Sequence, residues 1–563
     1  MIYAMAAVAM MAVGCQKDRN ADGMLLLAEG FNNNGSKVLV DGLTSTWADG
    51  DEVRINDQTA TVSVTTGNAS VHLGSGVDAP FYGVYPAGIY GSNSGASYTL
   101  NLPATYTYET DGTYQKLASP MVGYTDNSTS MTFKHLTAAV TVQIKNDFGI
   151  DVTVTNVTVS SNKYKLNGTT AVTLGNSIAV AAEETDNAAL RQVQMNFTGT
   201  ALNITSGNSA NVQVPVFPVG NDNRFTISVT VQNKDDAEMV YTFNKTQGST
   251  QDTYALGRAE LGYAPAKFGG VFTINASGDQ VRFAPGNLQY QASSTTWRFA
   301  KHQYDAIGNN AGNNVFDDTR STQAAWIDLF GWGTSGWNGG SVTATIYYQP
   351  YDYLGTGSSG YGYYYGPSTG TSWSPTCTYS LTGDYANRDW GVYNAIINGG
   401  NMANQWRTLT GGSGAEWEYI MSTRSASTVS GVSNARYLKA KVANVNGYII
   451  FPDEFVLPDG VSITSSHINF NTYLGWASVT SVLSSSDWAK MEVAGAIFLP
   501  CTGYRSYSSN NPSFTADAGY YWSSTVNSAS NAYHIQLQSG SPSFTANNAK
   551  RLGCSVRLVR DVQ

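Results

Sequence analysis

Charge is scarce in this sequence, and positive charge scarcer: 13% of the 563 residues are charged, and 31 Lys+Arg against 40 Asp+Glu leave a formal net charge of −9. A surface that neutralises a phosphate backbone needs clustered Lys and Arg, so nucleic acid is excluded as a partner. Cysteine is scarcer still. Cys15, Cys377, Cys501 and Cys554 are too few to staple a chain of this length, so its folds must rest on apolar cores. The five histidines, His72, His135, His302, His467 and His534, show no ligand spacing, and no two cysteines lie close enough to clip a zinc ion. No metal and no cofactor is therefore expected. Long apolar runs are also missing beyond the N-terminus: those at 447–451 and 495–499 have strand length, far below the roughly 20 residues that span a bilayer.

What is present is small, polar and aromatic. The chain holds 57 Gly and 35 Tyr within a 42% hydrophobic composition, which is the texture of folded, β-rich, exported protein rather than of disorder. Residues 2–14 are apolar over roughly the length of a signal-peptide core, and small residues precede Cys15. The stretch Ala12-Val13-Gly14-Cys15 resembles a bacterial lipobox, which implies that Cys15 is lipidated and anchors the chain to the outer membrane. Gln16-Lys17-Asp18 resembles a surface-export tag of Gram-negative lipoproteins. Residues 1–24 are read as signal and tether.

From about Leu25 to Leu261 the pattern is of strands punctuated by Gly, Asn, Asp and Ser. Phe225, Ile227, Val229 and Val231 alternate with Thr226, Ser228 and Thr230; Val152 and Val154 give way to Val157 and Val159, a phase slip at Asn156 that predicts a bulge. The Asn146-Asp147-Phe148-Gly149 turn divides this region into two β-domains, 25–148 and 149–265. Beyond it the texture changes, since 11 of the 12 Trp follow Phe268. Helix starts are expected at Ser413 with Glu416, at Ser484 with Asp487, and from Asp389 to Ile397. Long loops such as 355–370 lie between them, so 266–563 reads as one α+β domain.

The first region, through Trp47-Ala48-Asp49-Gly50-Asp51-Glu52-Val53, Phe81-Tyr82-Gly83-Val84-Tyr85-Pro86 and Phe133-Lys134-His135-Leu136, resembles the fimbrillin family of lipoprotein pilins. That resemblance implies two transthyretin-like β-sandwiches and assembly with other pilin subunits by donor-strand exchange. Whether Lys37, Arg54 or another basic residue is a maturation cleavage site is not set by the sequence. The remainder is similar to a paralogous surface domain of C-type-lectin-like fold, related to the formylglycine-generating enzyme fold and to the variable proteins of diversity-generating retroelements. The residues that carry this are Phe283-Ala284-Pro285-Gly286-Asn287-Leu288-Gln289-Tyr290, Trp406-Arg407-Thr408-Leu409, Glu416-Trp417-Glu418-Tyr419, Gly503-Tyr504-Arg505, Tyr521-Trp522-Ser523-Ser524 and Ser555-Val556-Arg557. Trp406, Trp417 and Trp522 are expected in the core.

No catalytic constellation emerges. Cys501 and Cys554 read as a cross-strand disulfide or two buried thiols, the G-x-G-x-x-G match at 355–360 lacks a strand before it and a helix after it, and Asp49-Gly50-Asp51 lacks the further ligands of a calcium loop. Between Gly503 and Ala546, however, Ser506, Tyr507, Ser508, Asn510, Asn511, Ser513, Tyr520, Asn527, Ser528, Ser530, Asn531 and Tyr533 cluster among apolar residues. Tyr supplies contact area at low entropic cost, and Ser and Asn supply adaptable hydrogen bonds. The resemblance implies a ligand surface here, and the same residue types are those that adenine-targeted diversification yields. The expectation is a multidomain protein, two all-β transthyretin-like β-sandwiches followed by an α+β C-type-lectin-like domain. Its expected role is that of a non-enzymatic, cell-surface adhesin-like lipoprotein and fimbrial tip subunit that binds a host or bacterial surface glycan or protein. The alternatives are a free-standing outer-membrane lipoprotein of structural role and a catalyst on the formylglycine-enzyme fold.

Overall fold

The computed structural model describes residues 23–29, 46–91, 96–108, 120–127, 129–178, 180–246, 255–307, 324–337, 350, 378–470, 472–505, 512–513, 517–550 and 552–562. The chain is predominantly β and multidomain. Its N-terminal part builds one eight-stranded sheet in the order Gln58–Thr61, Glu52–Ile55, Phe81–Tyr85, Met121–Thr125, Ser130–His135, Met24–Ala28, Asn68–Val71, Ser63–Thr65. Alternating side chains fill its core: Met24 and Leu26, Val53 and Ile55, Met131 and Phe133 are all buried. Gly83 and Gly123 face each other across the ladder, and a Cβ on either would come within 2.7 Å of the Met131 side chain. Two glycines side by side are what let that thioether lie flat on the sheet.

The next part packs two sheets face to face. In one, Ala138–Asp147 lies between Ser209–Val216, antiparallel, and Leu261–Gly269, parallel. Pro265 and Lys267 are exposed along the Leu261–Gly269 edge, which discourages further pairing there. The other runs Asp236–Thr246, Phe225–Asn233, Val152–Ser161, Gln192–Asn196, Thr105–Thr107. Phe225, Ile227, Val229 and Val231 are buried, as their alternation predicts, and the ladder register shifts between Val154 and Asn156, where the phase slip lies. Pairing runs across the expected division at 148/149: Ala138–Asp147 belongs to this second pair of sheets, Ser97–Leu102 pairs with Gly168–Thr173, and Thr105–Thr107 pairs with Gln192–Asn196. Short hydrophobic alternation does not say which sheet a strand joins, so the turn at 146–149 is not a clean seam.

The last part mixes small sheets with short helices. One of its early strands pairs with its last, Gln280–Phe283 with Leu558–Asp561, and Arg407–Thr408 adds to the latter. Val482–Leu483, Tyr437–Val442, Val445–Ile450 and Ile497–Pro500 form a second sheet in that order, and Ala518–Val526, Asn531–Gln538 and Ser543–Ala549 a third. The helix Ser485–Val493 begins with the expected capping box, Ser484 accepting from the Asp487 N–H and Asp487 from the Ser484 N–H. Asp389 caps Trp390–Tyr393 through the Gly391 N–H, but that helix stops short of Ile397. At 413–416 the structure corrects the expectation: the cap is Ala415, because the Glu416 carboxylate is taken by Arg407 (2.8 and 2.9 Å) and the Thr410 N–H (2.7 Å). Trp406, Trp417 and Trp522 are all buried.

This last part is docked onto the second pair of sheets. Asp147 meets Arg282 at 3.0 Å with both side chains under a tenth exposed, and the Asn233 side chain donates to the Asn398 carbonyl at 2.8 Å. A cavity of about 20 Å³ at this junction, room for a single water, is lined in part by Gly149, Tyr241, Gln303 and Glu492. Among the described residues no helix is long and apolar enough to cross a membrane.

Candidate functional site

Met24-Leu25-Leu26-Leu27-Ala28 is the first described strand, and it does not lie at an edge. It sits between Ser130–His135, to which it is parallel (Leu25 to Ser130 through Ala28 to Phe133), and Asn68–Val71, to which it is antiparallel (Met24 to Val71, Leu25 to Ser70, Leu26 to Ala69). Met24 and Leu26 point into the core, while Leu27 is 48% exposed. Taking this segment away would open a groove with unpaired main chain on both sides and two apolar pockets in its floor.

At the end of the strand, Glu29 donates its N–H to the Phe133 carbonyl (2.9 Å), and its carboxylate accepts from both ends of the Arg258 guanidinium (2.6 and 3.4 Å) and from the His135 N–H (3.2 Å). Arg258 also donates to the His135 carbonyl at 3.4 Å. Its loop is fixed to the neighbouring sheet by the Ala259 N–H to Thr137 (2.8 Å) and by the Ala139 N–H to Glu260 (3.0 Å). Burial pulls the His135 imidazole down to about 4, with Glu29 opposing and Arg258 reinforcing the shift. In the sequence His135 stands in a strand motif and among histidines without ligand spacing, and Glu29 and Arg258, 229 residues apart, share no local pattern that would join them to it.

Of the expected ligand surface, Ser506, Tyr507, Ser508, Asn510 and Asn511 lie outside the described residues, as do Cys15, Lys37, Cys377 and the loop 355–370. Ser513 lies in the two-residue strand Pro512–Ser513, opposite Tyr504. Tyr520 and Tyr533 do not converge. Tyr520 shares a sheet face with Trp522 and His534, its ring 5.3 Å from Tyr504 and 5.6 Å from His534, whereas Tyr533 neighbours His534 in sequence and so points to the opposite face, beside Gly411 and Gly412. Asn527, Ser528 and Ser530 are exposed at the turn joining the two strands. Part of their chemistry is local: the Ser528 hydroxyl accepts from the Asn531 N–H (3.1 Å), and the Asn531 amide donates to Asn547 (3.1 Å).

The remaining candidates are structural in their surroundings. Cys501 and Cys554 are free and buried, and burial raises both thiols far from the reactive range. Asp51 is buried and accepts from the Ala48 N–H (2.9 Å) and the Tyr85 hydroxyl (3.3 Å), while Asp49 accepts from the Val64 N–H (3.0 Å). Arg54 lies within a strand and donates to the Tyr90 and Gly91 carbonyls (3.1 and 2.9 Å), which makes it a poor site for cleavage in the folded chain. Lys439 is buried, 4.5 Å over the Trp476 ring, and donates to the Leu474 and Ser539 carbonyls at 2.6 Å; burial lowers it to about 8. Among the described residues no group of three His, Cys, Asp or Glu is placed to hold a metal ion.

Residues 462–559 match a family described as a domain of unknown function, DUF8237. No curated protein matches the chain. Among solved structures it is similar to a "putative cell adhesion protein" of Bacteroides ovatus, at 12% identity over 42% of this chain and 88% of that one, with a TM-score of 0.26. It is also similar to a fimbrial protein of Bacteroides vulgatus, at 10% identity over 37% of this chain and 80% of that one, with a TM-score of 0.22. A fimbrial protein of Bacteroides ovatus aligns at 10% identity over 96% of this chain and 99% of that one, with a TM-score of 0.21. Likenesses at this level assign no function.

Proposed function

We propose that this protein is a cell-surface, adhesin-like fimbrial subunit, anchored at Cys15 to the outer membrane, whose N-terminal strand is exchanged for a strand of another subunit and whose C-terminal domain presents a ligand-binding face. The observation that carries this reading is the seating of Met24–Ala28 in the interior of the eight-stranded sheet. A first strand placed there, with only two side chains sunk in the core, can leave without unthreading the rest of the sheet, and its vacancy is a template for β-augmentation. The pairing of an early strand of the C-terminal domain with its last accords with a lectin-like head, and the tip position and the residues 506–533 as ligand surface belong to the same proposal.

The test is to lock the strand. Leu25 and Ser70 face each other in an antiparallel pair, where Cα separations of about 4.5–5.5 Å suit a disulfide. A Leu25→Cys, Ser70→Cys chain is expected to reach the cell surface but stay out of filaments until reductant is added. Equal incorporation of the oxidised and reduced forms would overturn strand exchange.

A further inference from the structure

Main-chain pairing is blind to sequence, and the two pockets under Met24 and Leu26 accept any apolar pair spaced two apart. Alternation therefore rejects a slip of one residue, which turns the apolar side chains outward, but not a slip of two, which restores them. Something else must set the register. Arg258 is held by its own loop at the end of the groove, about three-quarters buried, and once Glu29 is gone the hydrogen bond left to its guanidinium among the described residues is the one to the His135 carbonyl at 3.4 Å. The nearby Glu260 carboxylate is engaged by the Gly257 N–H at 2.7 Å. A guanidinium fork fixed in that position recognises a carboxylate bidentately and leaves a partly buried charge unmatched when none arrives. A slip of two residues carries the acid about 6.6 Å along the strand, out of reach.

We propose that Arg258 selects the strand that fills this groove and sets its register. The partner segment is then an extended strand with two core-facing apolar residues two apart and an acidic residue three positions after the second, entering parallel to Ser130–His135. This rests on the strand-exchange reading above.

The probe is a labelled peptide with the sequence of residues 23–30, offered in excess to the full chain cut by a specific protease at a site introduced at 36–38. The unaltered peptide, which carries Glu29, is expected to bind about five- to tenfold more tightly than a Glu29→Gln peptide, in keeping with a partly exposed bidentate pair. That preference is expected to collapse on an Arg258→Gln chain and to favour a Glu29→Arg peptide on an Arg258→Glu chain. Equal binding of the unaltered and the Glu29→Gln peptides to the cut wild-type chain would overturn selection by Arg258 while leaving strand exchange standing. A cut chain that takes up no peptide would overturn both.

Discussion

His534 is enclosed between the rings of Tyr520 and Trp522, with neither ring nitrogen hydrogen-bonded among the described residues, and burial lowers it to about 4. Glu492 is fully buried at the junction of the last two parts, where burial raises it to about 7 against the opposing effect of its hydrogen bond with Gln303. The two act at opposite ends of the pH range. A depressed histidine contributes stability that is present above its unfolded value near 6.5 and is lost as pH falls through about 4. A raised carboxyl contributes stability that is present below about 4.5 and is lost as pH rises through about 7. Denaturant titrations from pH 4 to 9 are expected to show Glu492→Gln more stable than wild type by roughly 2–3 kcal/mol at pH 8 and near neutral at pH 5. His534→Leu is expected to shrink the acid limb without abolishing it, since His135 titrates there too. A Glu492→Gln chain that loses stability equally at both pH values would contradict the assignment.

Secondary elements separate what the sequence announces from what it conceals. Ser484 and Asp487 cap each other within one turn, so their spacing is enough to place the helix start. Ser413 and Glu416 have the same spacing, yet Arg407 from a strand captures the glutamate and the cap never forms. Ser484→Ala is accordingly expected to cost about 1 kcal/mol by chemical denaturation, whereas Ser413→Ala falls within a few tenths; equal losses would contradict the two assignments. The bulge at Asn156 was legible because a slipped alternation is itself a local signal. The splitting of Tyr520 and Tyr533 between opposite sheet faces was not, since a Tyr- and Ser-rich composition carries no phase. Glu29 with Arg258 is a pairing made only by tertiary structure, and no residue near either one foretells it.

Across the molecule, Leu261–Gly269 forms the edge of one sheet and continues directly into Phe272–Thr273, so the chain that pairs with Ala138–Asp147 leads straight into the C-terminal part. Asp147 gathers Arg282 at 3.0 Å, Lys267 at 3.5 Å and Lys145 at 3.8 Å at that joint. The exposed turn at Asn527, Ser528 and Ser530 belongs to the C-terminal part held at this joint, and Met24–Ala28 lies in the N-terminal eight-stranded sheet. Under the proposed function, attachment and ligand presentation occupy different parts of one chain, as a subunit at a filament end requires. Immunogold electron microscopy of intact producer cells with an antibody against residues 266–563 tests this most directly. Label concentrated at filament ends is the expected result; label spread over bare outer membrane, with none on filaments, would contradict it.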